Sequence, residues 1–187
     1  GTKTYDSATD MITFSRASKG TALRRVGSGA ELVTNGDFAT DSDWTLARAV
    51  ISGGVVDATN GTRFLAQNAG LVTGKVYTVT FDFTQGITNN SGKIRVNTTA
   101  TNGGGTAHVS GNFSSIGSSG SLTYVLVAEG PYIAIEAALA TFYGTIDNVS
   151  VKEVIFDRAT DPLVLYNHPD NIPRIEYDAT GAVKGLL

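Results

Sequence analysis

Lys75-Val-Tyr-Thr-Val-Thr-Phe-Asp-Phe83 alternates apolar and polar side chains over most of its length. Tyr77, Val79, Phe81 and Phe83 point one way, and Thr78, Thr80 and Asp82 the other. This is the period of a strand with one buried and one wetted face. The same period recurs in Lys93-Ile-Arg-Val-Asn97, Leu122-Thr-Tyr-Val-Leu-Val127, Tyr132-Ile-Ala-Ile-Glu136 and Asn148-Val-Ser-Val-Lys152. Asn35-Gly36, Asn60-Gly61 and Asn102-Gly103 punctuate these runs, since Asn and Gly tolerate the positive φ of tight hairpins. The 22 glycines, about 12% of the chain against a usual ~7%, lie between β-branched runs rather than in one block. No capped 3.6-residue apolar stripe is present, and Pro131, Pro162, Pro169 and Pro173 interrupt the later part. The expectation is an all-β protein whose main unit is a two-sheet jelly-roll sandwich over residues 30–153.

Residues 1–29 and 154–187 differ in texture from that unit and echo each other. Ile12-Thr-Phe-Ser-Arg-Ala-Ser18 precedes it and Val154-Ile-Phe-Asp-Arg-Ala-Thr160 follows it. Near the end, Asn171-Ile-Pro-Arg-Ile-Glu-Tyr-Asp-Ala-Thr-Gly181 reads as an extended pre-proline segment, a strand and a turn. The two flanks are expected to form one small β-rich anchoring unit into which the sandwich is inserted, an arrangement compact domains tolerate when their ends lie close together. Opening on Gly1 and stopping on Gly185-Leu-Leu187, the chain reads as part of a longer one.

Composition excludes several classes of function. With 14 basic and 17 acidic side chains, a net charge of −3 and 17% charged residues, there is no broad cationic surface for a phosphate backbone, so nucleic acid is not expected as a partner. The chain has no cysteine, and His108 and His168 stand far apart, which argues against thiol and zinc chemistry. No apolar run approaches the ~20 residues a membrane helix needs, and the first residues lack a signal-peptide pattern.

Enzymatic patterns are weak. Asp37, Asp41, Asp43, Asp57, Asp82, Glu129 and Glu136 are available as carboxylates, but glycoside hydrolysis needs two at a fixed separation, and residues of this kind beside Gly and Thr are ordinary loop chemistry. There is no Gly-x-Ser-x-Gly elbow with a partner histidine. Gly70-Leu-Val-Thr-Gly-Lys75 is one residue short of a phosphate loop, has Val76 where a hydroxyl is required, and leads into a strand. The chain is read as non-enzymatic.

Two sets of residues carry resemblances. Glu31-Leu-Val-Thr-Asn-Gly-Asp-Phe38, Asp43-Trp44, Gly74-Lys-Val-Tyr-Thr-Val-Thr-Phe-Asp-Phe83 and Gly144-Thr-Ile-Asp-Asn-Val-Ser-Val-Lys-Glu153 together resemble carbohydrate-binding modules of the galactose-binding-like jelly-roll type, in that family's order. Phe14-Ser-Arg-Ala-Ser18, Pro173-Arg-Ile-Glu-Tyr-Asp178 and Gly181-Ala-Val-Lys-Gly-Leu-Leu187 resemble a segment of tailed-phage virion proteins of tail-fibre, head-fibre and decoration type. The combination implies an exposed virion appendage on the particle surface, made in the host cytoplasm, self-associating as a trimer as fibres commonly are, and contacting other virion proteins and a cell-surface glycan. Two alternatives stay open: a purely architectural virion protein without ligand, and a sugar-binding accessory domain of a secreted glycoside hydrolase.

The resemblance also sets the candidate residues. No cofactor is required, but a structural calcium in the sugar-module family sits where the first strand's loop meets the last strand, implicating Asp37 and Asp147. Ala39 replaces an acidic residue common there, and Asp147 reads equally as a turn-capping carboxylate. Glycan contact calls for exposed rings with polar neighbours, among Trp44, Phe64, Tyr124, Tyr132 and Tyr143. Trp44, Tyr132 and Tyr143 are the candidates kept, with packing in the core as the alternative reading, strongest for Trp44. Arg16, Arg24, Arg25, Arg158 and Arg174 concentrate in the flanks. Arg16, Arg158 and Arg174 are the expected subunit contacts, because a planar fork suits polar interfaces.

Overall fold

The structure, a computed structural model, describes residues 20–58, 64–85, 93–99, 109–112, 119–138, 144–168, 175–177 and 182–186. Among these residues there are strands and no helix, and no helix long and apolar enough to cross a membrane. The strands are β1 (Gly20–Glu31), β2 (Thr45–Ala47), β3 (Val50–Ser52), β4 (Val55–Ala58), β5 (Phe64–Asn68), β6 (Val76–Gln85) and β7 (Lys93–Asn97). There follow β8 (Val109–Asn112), β9 (Ser119–Val127), β10 (Tyr132–Ala138), β11 (Gly144–Phe156), β12 (Leu163–His168), β13 (Ile175–Tyr177) and β14 (Val183–Leu186). The chain divides into two compact units, Gly29–Val154 and the pair of segments Gly1–Ser28 and Ile155–Leu187. It is an all-β protein with a two-sheet jelly-roll sandwich inserted between β-rich flanks.

In the larger unit one sheet runs β3-β4-β11-β6-β9 and the other β2-β5-β10-β7-β8, with antiparallel pairing throughout. The alternation of β6 is realised as read. Tyr77, Val79, Phe81 and Phe83 are buried in the core, and Thr78, Thr80 and Asp82 stand half-exposed between them. From the opposite sheet, Leu65, Val96, Ile133 and Ile135 enter the same core, as do Val149 and Val151 of β11. Burial of such side chains stabilises by roughly 1.5–3 kcal/mol each, so the two interleaved faces are the main source of cohesion.

The connection after β1 is where the sequence reading and the structure part. Asn35-Gly36 is not a hairpin tip: it lies between β1, at the edge of β11, and β2, which pairs with β5 in the other sheet. Asn35 has φ 50°, and its side chain braces the loop, its Nδ2 donating to Thr40 O (2.7 Å) and Ser42 O (3.0 Å) and its Oδ1 accepting from Thr40 N (3.1 Å). The tight hairpin is β3–β4, where Ser52 pairs with Val55 across Gly53 (φ 64°) and Gly54 (φ 78°). Two successive positive φ values are the signature of a type I′ turn. Asn60-Gly61 and Asn102-Gly103 lie outside the described residues.

β11 carries a bulge. Its register with β6 shifts by one residue between Asp147 and Ser150, with Asn148 at φ 51°. The bulge turns the Val149 N–H outward to donate to Gly36 O at 2.8 Å. A Cβ on Gly36 would collide with the Val149 carbonyl oxygen, so only glycine fits that approach. The Asn-Gly-Asp-Phe loop and the Ile-Asp-Asn-Val-Ser-Val strand are thus neighbours.

In the smaller unit β12 pairs antiparallel with Gly20–Arg25 of β1, and β13 pairs with β14. The strand expected in the last stretch is β13; the turn after it lies outside the described residues. Arg24, buried, forms an ion pair with Asp157 (Nη2–Oδ2 2.6 Å) and lies 4.1 Å over the Phe156 ring, which meets Tyr166 edge-on. Burial pushes the Tyr166 phenol up to about 12, with the Arg24 charge acting in the opposite sense.

Candidate functional site

The second sheet has a face turned away from the core, and its composition is unlike a solvated β-surface. Leu65, Val96, Ile133 and Ile135 face inward, so their neighbours along each strand face outward. Cross-strand register fixes the outward rows. Thr45, Ala66, Ala134 and Asn97 form one row across β2, β5, β10 and β7. On one side of it Tyr132 stands opposite Asn68, and on the other Glu136 stands opposite Arg95.

Ala66 and Ala134 form a small apolar cluster of their own, with Ala47 packed against it. Both alanines are covered, at 3% and 0% exposed, so they support the face rather than line it. Beside them is a polar pair: Asn97 Nδ2 donates to Glu136 Oε1 at 3.0 Å, although Asn97 is only 1% exposed and Glu136 5%. Asn97 Oδ1 in turn accepts from Thr99 N (3.1 Å). Buried polar groups on the non-core face of a sheet are costly unless joined this way, and the pairing fixes both side chains in one geometry. Tyr132 and Arg95 are half-exposed and Asn68 is exposed. The entry to β10 is held too: Tyr132 N–H donates to Thr98 O (3.2 Å) and Glu129 N–H to Thr98 Oγ1 (2.8 Å).

Of the three glycan candidates kept from the sequence, Tyr132 is placed on this face; Glu136, noted there only as a carboxylate, is on it too. Trp44 is a core residue: it is buried, its Nε1 donates to Asn35 O (2.9 Å), and its ring centroid lies 5.3 Å from that of Phe38. Its face is taken by packing, which corrects the glycan-contact expectation for Trp44. Tyr143, Arg16 and Arg174 lie outside the described residues. Arg158 is exposed and bidentate to Asp161 (Nε–Oδ1 2.9 Å, Nη2–Oδ1 2.7 Å), three residues on in its own chain.

The calcium candidates are held by their own neighbours. Asp37 Oδ1 accepts from Ala39 N (3.4 Å), and Asp147 Oδ1 from Asn148 N (2.6 Å). The cross-strand partner of Asp147 is Asp82. Asp82 accepts from the Ser121 hydroxyl and from Asn148 Nδ2 (2.8 Å), and these bonds hold its carboxyl below the usual range. Among the described residues no three acidic or histidine side chains gather as a cation site, whereas calcium takes six to eight oxygens.

Asn97 and Glu136 were missed as a pair by sequence reasoning. They lie 39 positions apart, and the signal available was one polar residue ending each of two alternating runs, Lys93–Asn97 and Tyr132–Glu136.

No family model matches the chain, and no curated relative does. Among solved structures it is similar to a CBM35 module from Paenibacillus barcinonensis, at 17% identity over 67% of this chain and 98% of that one, TM-score 0.40. It is also similar to a CBM4 module, at 16% identity over 65% of this chain and 84% of that one, TM-score 0.38. Superpositions that loose leave the ligand to be argued from this chain's own residues.

Proposed function

We propose that this chain is a non-enzymatic phage virion protein, a fibre or decoration appendage, whose sandwich touches host-surface glycans through the outward face of β2-β5-β10-β7-β8. The observation that carries the glycan reading is that Tyr132, Asn68 and Arg95 stand accessible on one face, above a layer of Ala66, Ala134 and the Asn97–Glu136 pair that is itself buried and holds the face in shape. An aromatic ring covers the C–H face of a pyranose, while amide and guanidinium groups pair with hydroxyls. Arg95 lies opposite Glu136, four residues along β10 from Tyr132 or roughly 13 Å, and that separation of the accessible groups suits a short oligosaccharide better than a single ring. The virion setting is supported by the resemblance of the flanks, which we read as the anchoring part, with Arg16, Arg158 and Arg174 as contacts to virion neighbours or to further copies.

A glycan array probed with the full chain, followed by calorimetry on the best ligand, tests the face. Tyr132→Ala is expected to weaken binding by at least about tenfold while the protein stays folded. Unchanged affinity in Tyr132→Ala moves the site elsewhere, and an empty array leaves the architectural alternative. Immunogold labelling of intact particles tests the virion setting separately.

A further inference from the structure

β9 stands apart from the other sheet edges of the sandwich. Among the described residues it pairs with β6 alone, in an unbroken register from Val76↔Val127 to Thr84↔Ser119. The other edges, β3, β2 and β8, are three, three and four residues long, whereas β9 has nine. Proteins shield long edges with charges, prolines or bulges, because alternate residues of an edge strand turn their N–H and C=O groups away from the sheet. Ser119-Gly-Ser-Leu-Thr-Tyr-Val-Leu-Val127 has no Lys, Arg, Asp, Glu or Pro, and no bulge. Apart from the buried Leu126, apolar side chains at its middle are incompletely covered: Leu122 and Tyr124 pack against the core only in part, and Val125 is 40% exposed.

We infer that β9 is an assembly edge that pairs antiparallel with β9 of a second copy of this chain, about a two-fold axis at Thr123. The occupant follows from the strand's own symmetry. About Thr123, the midpoint of β9, Leu122 and Tyr124 flank on the inward face and Ser121 and Val125 on the outward one. Antiparallel doubling sets Leu122 against Tyr124 of the second copy, twice, which covers the half-buried pair at the rim of each core. On the outward face it sets Thr123 against Thr123 of the second copy, and Ser121 against Val125 of the second copy. Thr–Thr pairs of this kind are favourable between strands, and no charge meets a like charge. A foreign strand selected by charge would find nothing on β9 to select it. The result is a closed, isologous dimer with one sheet continuous across both copies.

The full chain has no cysteine, so Thr123→Cys introduces a single thiol at an exposed position. Residues directly opposite in an antiparallel pair have Cα atoms about 4.5–5.5 Å apart, within reach of a disulfide. Under mild oxidation Thr123→Cys is expected to form a covalent dimer at least about tenfold faster than Thr73→Cys, an exposed loop control. In sedimentation the wild type is expected to dimerise, and Thr123→Lys, which opposes two ammonium groups on the axis, to weaken the dimer by about tenfold. Cross-linking of Thr123→Cys no faster than the loop control overturns the inference, as does a wild type that stays monomeric at about 100 μM.

Discussion

Gly36 shows how one position holds two distant stretches together. The Val149 N–H reaches Gly36 O across the bulge, and the Val149 carbonyl lies where a side chain at position 36 would begin. Gly36→Ala is therefore expected to push the loop off β11, breaking that bond and disturbing the Phe38–Trp44 packing just beyond it. A loss of about 2–3 kcal/mol in urea denaturation is the expected outcome, and a loss below about 0.5 kcal/mol would show that the loop relaxes without cost. The neighbouring carboxylates carry a different prediction. Asp37 and Asp147 each accept from a main-chain N–H within two residues, so the loop is already braced without an ion. We expect the melting temperature to be the same in calcium and in a strong chelator. A rise of several degrees with calcium would assign the loop a metal, because a ligand that binds only the folded state must stabilise it.

Glu31 ends β1 as a latch on β11. Its Oε1 accepts from Leu32 N (3.1 Å), Val33 N (3.3 Å) and Val151 N (2.7 Å), and its Oε2 from Ser150 Oγ (2.5 Å). Burial raises its pKa, but the bonds from Ser150, Val151, Val33 and Leu32 outweigh that and hold it below 4.5. A carboxylate depressed on folding contributes stability above its unfolded pKa and loses it as pH falls through the folded value. Glu31→Gln is thus expected to cost about 1 kcal/mol at neutral pH, an amount already discounted for solvent screening, and to flatten the fall in stability below about pH 4.5. A pH–stability curve parallel to wild type would remove the latch. None of this was legible in the sequence, where Glu31 only opens the stretch that leads into Asn-Gly-Asp-Phe. Alternation told which residues of β6 go inward, because Tyr77 through Phe83 need only a local period. It could not tell which strand lies beside which. So Asn35-Gly36 read as a hairpin when it joins two sheets, while the Gly53-Gly54 turn passed unnoticed. The same gap hid the candidate face: Tyr132 was visible as an aromatic at a strand end, but Asn97 and Glu136 meet only through the β7–β10 register.

The two units differ in what holds them. Among the described residues, every buried member of the main apolar core lies between Val33 and Val151, inside the Gly29–Val154 unit. The smaller unit is tied instead by the Arg24–Asp157 pair over Phe156, by β1–β12 pairing and by the Asp157 N–H donating to Arg25 O (3.0 Å). Holding and touching, in the reading proposed above, are then separable. The ends of the sandwich are adjacent, since a Cβ on Gly29 would stand 3.3 Å from Glu153 Cβ. In the smaller unit the Arg25–Asp157 hydrogen bond brings the same two stretches side by side. Deleting Gly29–Val154 and joining Ser28 to Ile155 through a few Gly and Ser residues should therefore need no stretched linker. The expected outcome is that the excised sandwich melts cooperatively and keeps its glycan affinity, while the deletion variant still enters particles that no longer adhere through this protein. Calorimetry on the first and particle composition with cell-adhesion counts on the second are the measurements. A sandwich that unfolds without its flanks, or a deletion variant missing from particles, would mean that anchoring draws on both units and that the division of labour does not hold.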